Sequence, residues 1–243
     1  MRRYVRRFLR TLGYDVTAIP MPKGFLLREY TLRVFSGLGI NLVFDVGAHW
    51  GEYGSFLRRS GYGGAIVSFE PVASNFVALH QKSAKDPRWK AYKFALGSED
   101  AIRPIQVTNR TDFSSFLSPN SFSAERFGEL GQVAGTEMVE VRRLDSVFEE
   151  CTSELKEPRV FLKMDTQGYD LKVLEGTASH IDQILALQSE ISVENIYTGM
   201  IGYLEAIARM TRLGFDIVSM VPVTTHNDGL RAIEFDCIMV RRP

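Results

Sequence analysis

Cysteine is nearly missing from this chain: there are two, Cys151 and Cys237. They form no CxxC pair and have no histidines at zinc-finger spacing, which argues against a structural zinc site of that kind. A single disulfide stays open, but two thiols so far apart in 243 residues read better as buried thiols of a cytosolic protein. Long apolar runs are missing as well. None reaches the roughly 18 residues of a membrane span, and no apolar stretch follows the basic start as a signal peptide requires. Net charge is missing: 29 Lys and Arg face 29 Asp and Glu, unlike a histone-like nucleic-acid binder. The 45% hydrophobic content is too high for a disordered chain. Internal repeats and linker-like stretches are absent, so the length reads as one large domain.

What is present is uneven. Arg2, Arg3, Arg6, Arg7 and Arg10 precede the first acid, Asp15, with Tyr4, Val5, Phe8, Leu9 and Leu12 between and after them near a helical period. One reading is an interfacial helix drawn to anionic lipid at the inner membrane face or to an acidic partner. The plainer reading, which we weight more, is a helix packed on its own domain. Residues 1–39 are therefore taken as a helical extension and 40–243 as the main domain.

From there the chain alternates strands and helices. Strands are expected at 41–46, 65–69, 89–96, 160–164, 184–187, 215–221 and 233–240. Helices are expected at 52–60, 72–85, 169–181 and 200–213, with a short one at 146–151 capped by Asp145. Residues 102–108 and 137–143 alternate like exposed strands. Residues 109–135 are polar and read as a long loop with at most a helical turn, a length that marks functional lids or disorder. The last two strands are joined too tightly for a crossover helix and must be antiparallel. The pattern is a doubly wound α/β fold: a mostly parallel, seven-stranded, Rossmann-like sheet with an antiparallel last strand.

Ligands of such sheets sit at the carboxyl ends of the strands. The first strand ends in Asp45-Val46-Gly47-Ala48-His49-Trp50-Gly51, and the second in Glu70, about 20 residues beyond the turn, where an acid binds ribose hydroxyls. A dinucleotide needs G-x-G-x-x-G so that pyrophosphate can approach the backbone. Here His49 takes the second glycine position and Asp45 is anionic. S-adenosylmethionine, which has a sulfonium and no phosphate, suits the turn better. Asp165 ends an apolar strand, and an acid there needs a reason.

The run from Asn41 to Gly54 resembles the first motif of the FkbM family of S-adenosylmethionine-dependent methyltransferases. Ile66 to Pro71, Ala95 to Ser98 and Val141 to Ser146 resemble further motifs. Phe161-Leu162-Lys163-Met164-Asp165-Thr166-Gln167-Gly168-Tyr169-Asp170, continuing to Gly176, is the most specific match. The resemblance spans roughly residues 40–242. Two positions depart from the pattern: His49 stands where a small polar residue is expected, and Gln167 where many members have Glu.

The resemblance implies transfer of a methyl group to a hydroxyl of a saccharide, glycan or natural product; the D-T-Q-G-Y form suggests polysaccharide biosynthesis. It implies that Asp45, Gly47, Ala48 and Gly51 line the methionine end of the cofactor, that Glu70 holds the ribose, and that Pro71, Ala95 and Leu96 flank the adenine. Ser114 and Ser115 resemble a serine patch that donates to cofactor or acceptor, or they are plain loop. Asp165 would face the methyl group with Glu190 beside it, the two sharing a substrate hydroxyl, acting as base, or holding a divalent metal. His49 is a second candidate base or a histidine stacked near Trp50. Tyr169, Tyr197, Asp236 and His226 are candidates for the acceptor side. Two other classes stay open: a nucleotide-binding oxidoreductase with an altered turn, and a non-catalytic binding module on the same fold.

Overall fold

The computed structural model describes residues 24–243 together with Leu9, Thr11 and Leu12. The arginines of the basic segment lie outside the described residues. Helix α1 is Phe25–Leu38, followed by strand β1, Leu42–Val46, helix α2, Glu52–Arg59, strand β2, Ala65–Phe69, helix α3, Ala73–Ser83, and strand β3, Trp89–Tyr92. After an insertion come helix α5, Leu144–Thr152, strand β7, Val160–Met164, helix α6, Asp170–Glu175, strand β8, Ile184–Ser192, helix α7, Tyr203–Arg212, and strands β9, Phe215–Thr225, and β10, Ala232–Arg241. The insertion holds β4, Ala95–Leu96, β5, Ala101–Thr108, α4, Ser121–Phe127, and β6, Val133–Arg142.

Seven strands form one sheet in the order β3-β2-β1-β7-β8-β10-β9. All neighbours are parallel except β10, which runs against both β8 and β9, so the expected doubly wound α/β sheet with a reversed last strand is what forms. The order turns back between β1 and β7, and the crevice beyond their carboxyl ends is where such sheets take ligands.

The buried strands read as apolar runs because both faces are covered. Leu42, Phe44 and Val46 of β1 and Val160, Leu162 and Met164 of β7 pack against α5, α6 and α7. Val43, Ile66 and Phe161 face the other way, onto α1, α2 and α3. Phe44 is fully buried, with the Phe69 and Phe148 rings 6.0 and 5.7 Å away; a side chain so placed contributes roughly 1.5–3 kcal/mol. Helix α1 shares this core through Val34 and Phe35, so residues 25–38 are docked on the unit that follows them. Both cysteines are buried and free.

Several boundaries differ from expectation. Residues 89–96 are two strands: β3 pairs with β2, whereas β4 leaves the main sheet for a second one, β4-β6-β5. Phe94 at the break is buried against Phe69, and this packing turns the chain. Helix α6 stops at Gly176, whose carbonyl accepts the Asp145 amide; a Cβ at Gly176 would lie 1.9 Å from the Gly97 oxygen. Strand β8 runs on to Ser192 because it pairs with β10 beyond the end of β7, which puts Glu190 inside a strand. Asp145 does not cap α5: Arg143 is the capping residue, and the Asp145 carboxylate binds Arg143, the Ser179 amide and His180.

The expected long loop is largely structured. It contains 3-10 turns at Thr111–Phe113 and Gly128–Gly131 besides α4. The Asn120 side chain caps α4 by accepting from the Ser123 amide, and Phe122 and Phe127 pack on Ile196, Tyr197 and Ile233. The segment is therefore held over the carboxyl ends of the main sheet.

Candidate functional site

The turn after β1 is built on Gly47. Its φ of +73° is the left-handed region, and a Cβ there would lie 2.0 Å from the Asp165 carbonyl oxygen, so only glycine fits. The amides of Gly47 and Ala48 both donate to the Phe69 carbonyl, each at 3.1 Å. His49 follows at φ +49°, an unusual conformation for a non-glycine residue. Its amide donates to Glu70 Oε2 at 2.8 Å. Glu70 Oε1 accepts from the Val72 amide at 2.9 Å and from Asn75 at 3.4 Å. Burial, only partly offset by these bonds, pushes the Glu70 carboxyl up to about 7.

Two cavities meet at this turn. The inner cleft, about 620 Å³ of empty volume, is lined by Phe69, Glu70, Pro71, Ala95, Leu96 and Ile105, none of which lines the groove, and by His49, Asp112 and Asp165, which do. The outer groove, about 1820 Å³, has a wall of Trp50, Tyr53 and Phe56 and reaches Lys163, Gln188, Glu190 and Asp236. Gly47, His49, Thr111, Asp112 and Asp165 line both, so these five residues ring the throat between them. The His49 ring reaches across it to Thr111 Oγ1 at 2.9 Å and stacks on Trp50 at 4.4 Å. Burial lowers the His49 pKa, against the raising effect of nearby Glu52 and Asp112, which favours a neutral imidazole.

Beneath the throat lies a polar row fixed by strand register: Ser68, Asp45 and Lys163 are neighbours on β2, β1 and β7. Trp89 Nε1 donates to Ser68 Oγ at 3.0 Å, and Ser68 donates to Asp45 Oδ2 at 2.9 Å. The Lys163 ammonium lies 3.3 Å from Asp45 Oδ1 and 3.4 Å from Asp165 Oδ2. Burial opposes the charge on Lys163, but Asp165 and Asp45 outweigh it and hold its pKa above the usual lysine range. On the groove side, Tyr53 donates to Gln188 Oε1 at 3.1 Å and Gln188 Nε2 to Asp236 Oδ1 at 2.8 Å.

Asp165 and Glu190 are brought together by Gln167. Its amide nitrogen donates to Asp165 Oδ1 at 3.2 Å and to Glu190 Oε2 at 2.9 Å, and its Oε1 contacts the Tyr197 hydroxyl at 2.8 Å. Gln167 has φ +53°, strain that the surrounding bonds hold in place; one of them is Ser115 Oγ donating to its carbonyl. Asp236 lies directly across from Glu190 on β10. Burial raises the pKa of Glu190 well above the usual carboxylate range, and the charges of Asp165, Glu234 and Asp236 add to it. Burial and the nearby Asp165 charge raise Asp236 to about 7.

Of the residues singled out from sequence, Gly47, His49, Glu70, Pro71, Ala95, Leu96, Ser114, Ser115 and Asp165 line the inner cleft. Ala48, Glu190 and Asp236 line the outer groove only. The others fall elsewhere. Asp45 is fully buried beneath the turn, because its strand parity points it at Lys163 rather than at the cleft. Gly51 packs under Leu79 and Trp89. Tyr169 packs on Phe116 at 4.8 Å. Tyr197 is 2% exposed and supports Gln167 from below. His226 stacks edge-on to Phe122 and lies 3.9 Å from Glu194, lining neither cavity.

Among the described residues, no group of three or more His, Cys, Asp or Glu is arranged to hold a metal ion. The Asp165–Glu190 pair does not fit one either, since the space between the two carboxylates is bridged by the Gln167 amide donor. Lys163, Gln167, Gln188, Thr111 and Asp112 were not among the expected site residues. Lys163 carried a signal, a lysine inside an apolar strand, and Asp112 carried one in its place just before the serine patch at Ser114 and Ser115; Thr111 carried none.

Because Tyr197 acts through Gln167 and the Phe113 carbonyl, 2.9 Å from its hydroxyl, Tyr197→Phe is expected to lose about 1 kcal/mol. In thermal unfolding this is a drop of roughly 2–4 °C; an unchanged midpoint would show that the hydroxyl holds nothing.

A search of curated proteins finds no significant match to the sequence. Among solved structures the chain is similar to a putative S-adenosylmethionine-dependent methyltransferase from Listeria monocytogenes, at 8% identity and TM-score 0.48, covering 88% of this chain and 100% of that one. It is similar to magnesium protoporphyrin IX methyltransferase from Synechocystis, at 10% identity and TM-score 0.44, over 99% and 96%. It is also similar to precorrin-6y C5,15-methyltransferase from Geobacter metallireducens, at 9% and 0.43, over 93% of each. These likenesses are too distant to bear on the assignment. The sequence match is not: the methyltransferase FkbM domain family model covers residues 45–217, well over half of the chain, and the protein belongs to that family.

Proposed function

We propose that this methyltransferase takes its methyl group from S-adenosylmethionine and transfers it to a hydroxyl oxygen of a saccharide or natural-product acceptor. The observation that carries the donor reading is the charge of the inner cleft. Its lining includes Glu70, Asp112 and Asp165 and neither lysine nor arginine. A pyrophosphate would meet three carboxylates there and no cation, which argues against a dinucleotide oxidoreductase. A cationic, phosphate-free donor fits. Glu70 Oε2, which accepts one bond from the His49 amide, retains a lone pair for a ribose hydroxyl, and Phe69, Pro71, Leu96 and Ile105 form an apolar seat for a base.

When bound, S-adenosylmethionine supplies an electrophilic methyl group on a sulfonium. The chain's own part is to bind, align and deprotonate. Glu70 holds the ribose; the throat admits an acceptor hydroxyl from the groove; Asp165, at the throat, takes the hydroxyl proton. Glu190, whose raised pKa favours the protonated carboxyl, stands beside Asp165 as its neutral neighbour. The wall of Trp50, Tyr53 and Phe56 supports a saccharide acceptor, since aromatic faces suit sugar rings, and with it a role in polysaccharide biosynthesis. These residue roles, and the division into an extension at 1–39 and a catalytic domain at 40–243, are parts of the same proposal. No described helix is long and apolar enough to cross a membrane; the reading is a cytoplasmic enzyme whose basic segment can touch a membrane surface.

Calorimetric titration with S-adenosylmethionine and S-adenosylhomocysteine tests the donor, and methyl transfer from labelled S-adenosylmethionine to a panel of saccharides tests the acceptor. Asp165→Asn is expected to bind S-adenosylhomocysteine within about threefold of wild type and to lower kcat at least about 100-fold. Tight binding of a nicotinamide dinucleotide in place of S-adenosylmethionine, or full turnover by Asp165→Asn, would overturn the reading.

A further inference from the structure

A buried carboxylate oxygen with no donor is rare in a folded protein and calls for a reason. Asp112 presents one. It sits in the 3-10 turn Thr111–Phe113, at the throat shared by the cleft and the groove. Its Oδ2 pairs with Arg110 at 2.7 Å. Its Oδ1 is buried and has no hydrogen-bond partner among the described residues.

The other carboxylates of the inner cleft are engaged. Glu70 accepts from two backbone amides and from Asn75. Asp165 accepts from Gln167 on one oxygen and faces Lys163 with the other. The unused acceptor at the throat end of the cleft is therefore Asp112 Oδ1. Its position is fixed in advance. Thr111 is bound to His49, the Phe113 carbonyl lies against the Tyr197 hydroxyl, and Arg110, 5.2 Å above the Phe113 ring, holds the other oxygen. Preorganisation of this kind lowers the entropy lost on binding.

The apolar seat beside Glu70 lines the cleft but not the groove, whereas Asp112 lines both. A donor whose adenosine occupies that seat extends its amino-acid end toward the throat. We infer that Asp112 is a donor-binding residue whose Oδ1 accepts a hydrogen bond from the α-ammonium of the methyl donor. The inference rests on the donor reading above. A charge-assisted bond from an ammonium to a partly desolvated carboxylate is the strong kind, and it requires the carboxylate rather than its amide.

The test uses two ligands, S-adenosylhomocysteine and 5′-methylthioadenosine, which lacks the amino-acid end, each titrated by calorimetry into wild type and Asp112→Asn. The expected result is a loss of about tenfold or more for S-adenosylhomocysteine, no change beyond about twofold for 5′-methylthioadenosine, and a ligand-free melting temperature within about 2 °C of wild type. Equal S-adenosylhomocysteine affinity in the two proteins overturns the inference. So does an equal loss for both ligands, which would mean that Asp112 only supports the cleft. If wild type binds neither ligand, the donor reading falls first and this inference with it.

Discussion

Replacing Lys163 with methionine is expected to destabilise the protein by about 3–5 kcal/mol, the range for removing one partner of a buried ion pair. The size follows from what is left behind. Asp45 is 0% exposed, and with Lys163 gone its remaining side-chain partner is Ser68. The carboxyl must then take up a proton to stay folded. Burial already raises its folded pKa in the intact protein, against the lowering effect of Lys163; without Lys163 it rises further above the unfolded value, so the folded state holds the extra proton and stability falls more steeply as pH rises. The loss measured by urea unfolding should therefore be larger at pH 8 than at pH 5. Neutralising the partner as well, in Asp45→Asn/Lys163→Met, should restore more than half of it, because the orphaned charge is gone. A loss that is flat with pH, or no recovery in the double variant, would show that the lysine acts through packing rather than charge.

Replacing Glu70 with alanine is expected to weaken S-adenosylhomocysteine binding at least about tenfold, as a hydrogen bond to a charged acceptor, at about 1.5–3 kcal/mol, is lost. The same residue predicts a pH dependence. Glu70 titrates at about 7 in the fold against an ordinary 4.5. Between those values the folded protein binds more protons than the unfolded one, so this group's contribution to stability falls as pH rises from 4.5 to 7. Ribose hydroxyls donate to the ionised form. Binding should therefore release a proton and tighten about tenfold between pH 6 and pH 8. Calorimetry in two buffers of different ionisation enthalpy reads the proton directly. Binding that does not change with pH would place the ribose elsewhere.

Much of the cleft lining was legible beforehand because the chain writes it locally. Glu70 could be found as the acid that ends the second strand, and Asp165 as the acid that ends an apolar strand beside a glycine-bearing turn. Gly47 could be found because a turn that brings two strand ends into contact leaves no room for a Cβ. Asp45 was misplaced in the same reading: its position in the motif was right, but strand parity turns it into the sheet, and parity against Lys163 and Ser68 becomes meaningful only once the order β2-β1-β7 is known. The insertion was harder still. Several bonds that dock it on the main sheet are to distant residues, among them Ser115 with Gln167, Pro119 with Tyr197 and the Asn120 side chain with the Asn195 carbonyl, so no window of sequence contains their cause.

Scarcity of cysteine, absence of an apolar span and the alternation of strand and helix were enough for the sequence by itself to determine the fold class, the reversed last strand and the end of the sheet where the cleft opens. Hydrophobic periodicity and turn chemistry act over a few residues, and those features depend on nothing longer. Only the tertiary structure decided which acids meet: Asp165 with Glu190 through Gln167, Asp45 with Lys163, and Asp112 at the throat with one oxygen that has no hydrogen-bond partner among the described residues. The reason is physical. A carboxylate's role is set by the donors and charges within a few ångströms of it, and here those come from residues 2 to 118 positions away along the chain.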